Sequence, residues 1–339
     1  MISKDDKLGV VLLNLGGPDT LDAVQPFLRN LFRDPDIIDF PGSFLFRGGL
    51  AKLISTLRAP KIKEQYEEIG GGSPLKAHTL RQAELLEERL NRDIAAKVFV
   101  AMRYWHPFTD EAVEQLEAEG IRQVLLLPLY PQFSRSTTGS SVNEWKRQIA
   151  RRPSLASLEW DVVERYFDHP GYVESLVERI GQGLERFPVE RREHVHIVFS
   201  AHGTPMKLVR EGDPYSFEIE KTVRAVVERG KITHPWSLCY QSKVGPQKWL
   251  TPATPDVIEE LGKSGLEEML VVPVAFTSDH LETLFELGIE YRKLAHECGI
   301  RQYEITEGLN DSPRFIEALA ELVIERADRP KAAAAGENG

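Results

Sequence analysis

The chain reads as an α/β protein built from two similar Rossmann-like domains, each a parallel sheet flanked by helices, with a cleft between them. Three observations predict this. Short β-rich runs alternate with longer amphipathic stretches; several of those runs are continuously apolar, as strands covered on both faces are; and the punctuation of the first half recurs in the second.

Strands are predicted over residues 9–15, 97–102, 123–129, 158–163, 194–200, 236–240, 269–276 and 302–305. Between them, helices are predicted over 79–90, 110–119, 171–187, 214–228 and 255–262, the order that right-handed crossovers require. The run LLNLGGP at 12–18 matches FSAHGTP at 199–205, AMRYWHP at 101–107 parallels CYQSKVGP at 239–246, and VLLLP at 124–128 parallels MLVVP at 269–273. Each half therefore runs from a strand ending in Gly-x-Pro, to a strand with a polar turn and Pro, to a strand ending in Pro. The interval from Pro18 to Pro107 is more than twice that from Pro205 to Pro246, so the first half carries an insertion, most simply residues 33–72. The expected organisation is a first domain over 1–150 including that insertion, a second over 151–311, a C-terminal helix over 312–328 and a disordered tail over 329–339.

Composition narrows the function classes. A net charge of −10 argues against nucleic acid or an anionic membrane as a general partner, because both attractions need excess Lys and Arg. The first residues lack the basic-then-apolar layout of a secretory signal, and no stretch approaches the ~20 apolar residues of a spanning helix, so a cytoplasmic protein is expected, at most peripheral to a membrane. Two cysteines, Cys239 and Cys298, do not supply the four thiolates that an iron–sulfur cluster normally takes, and no cluster is expected.

In open α/β sheets ligands bind beyond the carboxyl ends of the strands, which selects residues 15–18, 103–106, 130–138, 202–205, 241–245 and 277–282. Two histidines stand in that set. His202 follows an apolar strand and precedes a turn fixed by Gly203 and Pro205; an imidazole there suits a general base or a divalent-metal contact. His280 lies in TSDHLE at 277–282, which opens a helix bearing Glu282, Glu286 and Glu290. At a 3.6-residue period these carboxylates share one side. Asp279 reads as an N-cap with Glu282 at the third position of a capping box, and Lys293 projects to the side of Glu286 and Glu290. By itself the segment fits a capped helix with a solvated face as well as a metal or proton path.

Other signals are weaker. GGGSP at 70–74 lacks the Lys-Ser/Thr of a phosphate loop, and NLGGP at 14–18 loses a backbone donor to Pro18 where a pyrophosphate would need one. Tyr66 and Ser73 flank the glycines as ligand contacts, or Ser73 simply caps a helix. The insertion is dense in large apolar residues, including Ile37, Ile38, Phe40, Phe44, Phe46, Leu53 and Leu57; an exposed apolar lip for a hydrophobic ligand or a membrane surface is expected from part of it, with any peripheral membrane attachment through the cluster Phe40, Phe44 and Phe46.

Five segments in order, LNLGGP at 13–18, QYEEIGGGSP at 65–74, SAH at 200–202, QSKVGP at 241–246 and FTSDHLETL at 276–284, make the chain resemble ferrochelatase, which inserts ferrous iron into a porphyrin. The resemblance covers nearly the whole chain. It implies paired Rossmann-like domains with protoporphyrin IX held between them, His202 and Glu282 as catalytic residues that meet the metal, and Asp279, His280, Glu286 and Glu290 along a proton or metal path. Porphyrin contacts carried over from the family fall on Ile38, Arg58, Tyr66, Ser73, Arg103 and Tyr104, and the insertion corresponds to the active-site lip. Family members that use coproporphyrin tend to carry Tyr where this chain has Leu15, so protoporphyrin is expected, with no cofactor beyond the substrate iron. The alternatives are a non-catalytic heme or porphyrin carrier on the same fold and a coproporphyrin-type chelatase.

Overall fold

A computed structural model describes residues 7–37, 43–245 and 247–328. Eight strands form two four-stranded, all-parallel sheets. The first sheet contains β1 (Leu8–Asn14), β2 (Ala96–Met102), β3 (Gln123–Pro128) and β4 (Glu159–Val162) in the order β2-β1-β3-β4. The second contains β5 (His196–His202), β6 (Trp236–Gln241), β7 (Glu268–Pro273) and β8 (Gln302–Ile305) in the order β6-β5-β7-β8. The repeat read from the sequence is thus a repeat of topology, strand for strand. β1 and β7 are buried along their whole length and β5 as far as His202, as strands covered on both faces are.

One boundary shift matters for the site. The fifth strand continues to His202, whose backbone pairs with Gln241, so the histidine is the last residue of the sheet instead of lying beyond it.

Between β1 and the crossover helix Leu75–Leu90 stand two further helices, Val24–Arg33 and Ser43–Glu68. Helix Leu75–Leu90 buries Leu75, Thr79, Gln82, Ala83, Leu86 and Leu90, a stripe at helical spacing. On helix Ser43–Glu68 the spacing is the same but the outcome is opposite: Phe46, Leu53 and Leu57 are 68%, 57% and 71% exposed. That helix leaves an apolar face outside the core. Ile38 and Phe40 lie outside the described residues, as do Pro246 and the tail over 329–339; nothing of Phe44 beyond its place in the helix is described. No helix among the described residues is long and apolar enough to cross a membrane.

The halves share one core. A single apolar cluster contains Val10, Leu12 and Val100 of the first sheet with Ile197, Phe199 and Val272 of the second, joined by Tyr172, Leu319 and Val323. The last helix, Pro313–Ala327, packs against both Leu75–Leu90 and Pro170–Leu184, and Arg89 holds Glu317 through two bonds of 2.6 and 2.7 Å. Buried polar bonds cross the same junction. Gln82 Nε2 donates to Ser278 Oγ at 3.1 Å and to the Asn310 carbonyl at 2.7 Å; Thr277 Oγ1 donates to the Leu129 carbonyl at 3.1 Å.

Replacing Gln82 with Leu strips two buried acceptors of their donor. A loss of about 1–3 kcal/mol in unfolding free energy is expected, read as a lower urea midpoint at unchanged slope; an unchanged midpoint would refute the importance given to this seam.

Candidate functional site

β5, β6 and β7 deliver their carboxyl ends side by side, and each contributes one part of the site. His202 ends β5; its Nδ1 faces the Gly203 carbonyl at 2.6 Å, which leaves Nε2 as the free ring nitrogen, and Tyr215 hydroxyl donates to its main-chain oxygen at 3.0 Å. Phe276, three residues beyond β7, lies edge-on to the His202 ring at 6.2 Å between centroids and tilted against His280 at 4.5 Å. His280 is buried, with Nδ1 3.0 Å from the Ser278 carbonyl and Nε2 3.2 Å from Glu282 Oε2. Glu282 is half-buried, and its main-chain oxygen accepts from Gln241 Nε2 at 3.1 Å. Two imidazoles and a carboxylate therefore gather around Phe276 and Gln241.

The segment after β7 is not the α-helix that a 3.6-residue period assumes. Residues Glu282–Tyr291 form a ten-residue π-helix that continues as the α-helix Arg292–Glu297. Such wide turns are uncommon and concentrate at functional sites. A second π-helix, Arg135–Gly139, follows β3, so the repeat extends to this feature.

The capping geometry differs as well. The Asp279 carboxylate does not accept the backbone N–H groups of the first turn. It takes the Thr283 hydroxyl at 3.0 Å, the Gly308 N–H at 3.2 Å and Asn310 Nδ2 at 2.7 Å, while Asn310 Oδ1 accepts from Asp279 N. Thr283 Oγ1, not Glu282, reaches back to the His280 N–H at 3.1 Å. Glu282 is thereby released from the capping role the sequence assigned to it, and its carboxylate meets His280.

Along the π-helix the carboxylates have unlike surroundings. Glu286 accepts four bonds: Gln241 Nε2 at 2.9 Å, Ser242 N at 2.8 Å, Ser242 Oγ at 2.5 Å and the Tyr291 hydroxyl at 2.9 Å. Ser242 holds φ at +63°, a conformation that costs a non-glycine residue on the order of 1–3 kcal/mol. Burial, then the negative charge of Glu286, raises the pKa of Glu290 above the ordinary carboxylate value, opposed by Lys61 from helix Ser43–Glu68. The expected partner Lys293 turns away to Glu297 at 4.0 Å, so the cation on this face comes from the insertion. Burial and the Glu286 charge likewise push the Tyr291 hydroxyl up.

The first half supplies the opposite wall. Tyr66 and Ser73 are buried, and Ser73 Oγ takes the Leu75 N–H at 3.3 Å at the start of the crossover helix. Burial and the nearby Glu282 charge raise the Tyr66 hydroxyl pKa. Tyr66 and Tyr104 share an apolar cluster with Phe27 and Val24, against which Leu15 and Leu281 pack. Arg58 lies over the Phe32 ring at 5.7 Å. Arg103 is engaged by protein partners: its guanidinium reaches Asp34 at 2.9 Å and Ser140 Oγ at 2.9 Å, and stacks on Tyr104 at 5.2 Å. Burial pushes the Asp34 carboxyl up, but the Arg103 charge and bonds from Ser140 and Tyr104 outweigh it and hold Asp34 below the usual range. Tyr66, Ser73, Glu282 and His280 are thus brought together, while Arg103 and Tyr104 tie the end of β2 to the insertion. Lys61, Tyr291 and Asn310 carry no motif signal; Gln241, Ser242 and Thr283 lie within the segments 241–246 and 276–284, and 241 and 242 also in the set chosen by the strand-end rule, but none of them stands out there as a site residue.

Chemically, such groups can accept protons and contact a divalent metal. His202 presents a free imidazole nitrogen and Glu282 a part-exposed carboxylate, with the Phe276 ring edge-on to the His202 ring. Among the described residues no group of three or more His, Cys, Asp or Glu side chains is gathered closely enough to hold a metal ion.

Comparison with known proteins gives concordant results. The family model described as Ferrochelatase matches residues 7–327. A protein named Ferrochelatase from Synechococcus elongatus is 46% identical over 327 residues, covering 96% of this chain and 84% of that protein. Its counterpart from Gloeobacter violaceus is 48% identical over 321 residues, covering 94% and 97%. Among solved structures, a sirohydrochlorin chelatase from Bacillus subtilis subspecies spizizenii in complex with cobalt superposes with a TM-score of 0.56 at 12% identity, covering 96% of this chain and 97% of that one, a likeness of fold.

The raised pKa of Glu290 carries a sign that can be checked. The folded chain binds this proton more tightly than the unfolded one, so the group costs stability as pH rises from the ordinary value of 4.5 through the folded-state value. Glu290→Gln is expected to raise the melting temperature at pH 7 and leave it unchanged near pH 4; equal effects at both pH values would contradict the assignment.

Proposed function

The chain belongs to the ferrochelatase family, and we infer from its site that it inserts Fe²⁺ into protoporphyrin IX to give protoheme, releasing two protons. The observation that carries the reading is the placement of His202 at the end of β5 beside a π-helix whose first residue, Glu282, contacts His280. Metallation removes two pyrrole protons, so a base must stand near the macrocycle centre, and a neutral imidazole with a carboxylate beside it suits that task. Fe²⁺ must also shed water; nitrogen and oxygen donors replace it transiently without the grip of a closed multi-ligand site.

His202 serves as the base or as the first metal contact, through its one free ring nitrogen, and Glu282 assists by taking protons or holding the ion. The face from Asp279 and His280 through Glu286 to Glu290 borders the route between this centre and solvent. Tyr66 and Ser73, opposite Glu282, contact the porphyrin, with Arg58, Ile38, Arg103 and Tyr104 completing its surroundings as the family pattern suggests. Binding the ring in a saddled shape exposes nitrogen lone pairs that a planar ring hides, a use of binding energy for distortion. No cofactor is needed beyond the substrate iron, in keeping with two cysteines in the whole chain. The Leu at position 15 favours protoporphyrin over coproporphyrin as substrate.

The exposed Phe46, Leu53 and Leu57 supply a peripheral attachment to the cytoplasmic face of a membrane, where an apolar substrate and product are soluble.

Two outcomes test this reading. His202→Ala is expected to lower kcat/KM for anaerobic Fe²⁺ insertion, followed at the Soret band, by about 10²–10⁴-fold while porphyrin still binds; full turnover in this variant would refute the mechanism. Replacing Phe46, Leu53 and Leu57 together with Ser is expected to reduce co-sedimentation with liposomes and leave turnover of detergent-dispersed porphyrin intact; unchanged co-sedimentation would remove the membrane role.

A further inference from the structure

The acidic stripe reads in the sequence as three equivalent carboxylates, but the structure gives them different work. An ionised carboxylate offers about four lone-pair positions. Those of Glu286 are met by four protein donors, Gln241 Nε2, Ser242 N, Ser242 Oγ and the Tyr291 hydroxyl, at 2.5–2.9 Å. A proton or metal ion stopping there must first break one of these bonds.

Two further features show what the bonds achieve. Ser242 adopts its left-handed backbone at the very residue that turns both its N–H and its hydroxyl onto Glu286, so the strain is offset where the carboxylate is gripped. Gln241, the last residue of β6 and the backbone partner of His202, divides its amide between Glu286 and the main-chain oxygen of Glu282, while its Oε1 accepts from Ser200 Oγ at 2.8 Å. Glu286 therefore fastens the strand that carries the histidine's neighbour to the first turn of the π-helix.

Resting on the ferrochelatase reading, we propose that Glu286 is a positioning residue, acting through Gln241 and Ser242 to fix Glu282 relative to His202, and that neither the metal nor a travelling proton uses it as a station. Glu290, which accepts no hydrogen bond among the described residues, is then the outward carrier. Its raised pKa, from burial and the fixed Glu286 charge, is compatible with holding a proton in transit. The titratable and charged groups facing this pair are Tyr291 on the π-helix, Tyr303 of β8 and Lys61 of helix Ser43–Glu68.

The test is steady-state insertion of Fe²⁺ into protoporphyrin by the full chain without oxygen, across pH, for wild type and for Glu286→Gln, Ser242→Ala, Tyr291→Phe and Glu290→Gln. Wild-type turnover is required first; its absence would remove the ferrochelatase reading itself, before any variant is compared. A positioning role predicts that Glu286→Gln and Ser242→Ala each lower kcat by about 10–100-fold, the range for partners one step removed from a site, with KM for iron and the limbs of the pH profile unmoved. The two changes combined are expected to cost little more than either alone, since both release the same contact. Glu290→Gln is expected to shift a limb of the profile. The proposal is overturned if Glu286→Gln raises KM for iron or deletes a limb, or if Ser242→Ala and Tyr291→Phe, which free lone pairs on Glu286, leave kcat unchanged or faster. Should Glu286→Gln fail to fold, the latter two variants decide between the same outcomes.

Discussion

Everything at the site depends on two sheets being held together at the carboxyl ends of their strands. Gln82 reaches across to Ser278 and Asn310, Thr277 to the Leu129 carbonyl, and Tyr172 to the Val274 carbonyl at 2.9 Å. Further along, the buried Glu218 takes the Phe133 N–H and Asp213 takes Ser134 Oγ and Arg135 N. Breaking such bonds strands desolvated partners at about 1–3 kcal/mol each, so the junction resists gradual sliding. A shared apolar core adds to it. The two sheets are therefore fixed against each other, and the side chains that end β5, β6 and β7 can be placed within hydrogen-bonding tolerance of one another.

On that base the site divides into parts that are locked and parts that are free. Asp34, Asp279 and Glu286 have their oxygens consumed by protein donors. These three secure, respectively, the end of β2 against the insertion, the entry of the π-helix against the loop after β8, and the end of β6 against the π-helix. His202, Glu282 and Glu290 keep coordination or proton-accepting capacity. Chemistry that takes up a metal and gives off protons needs this asymmetry, because a carboxylate already saturated by fixed donors contributes order and a less encumbered one contributes exchange.

Much of the architecture was legible in the sequence because it rests on periodicity and punctuation. The apolar runs at β1, β5 and β7 and the recurring Gly-x-Pro and Pro endings mark the repeat, and the strand-end rule brings His202, Gln241 and Glu282 into one set. What could not be read was local geometry that departs from the default. A 3.6-residue period gave no sign of a π-helix, whose cause lies in tertiary contacts to Gln241, Ser242 and Tyr303. Asp279 has a strong N-cap propensity, yet Gly308 and Asn310, about thirty residues away in sequence, claimed its carboxylate. Lys61 was invisible as the cation near Glu290 because it arrives on a different helix. The apolar spacing of the insertion was visible, but spacing does not distinguish a buried stripe from the exposed one formed by Phe46, Leu53 and Leu57.

A ferrochelatase centre exchanges two pyrrole protons for one iron and then lets the product go. Counting protons against heme tests it most directly: a weakly buffered anaerobic mixture of a trace of the chain with excess Fe²⁺ and protoporphyrin, followed by a pH indicator and the Soret band together. Two protons released per heme, continuing through many turnovers per chain, is the predicted result. A spectral change that stops at one porphyrin per chain, with no proton released, would contradict it and leave a binding protein in its place.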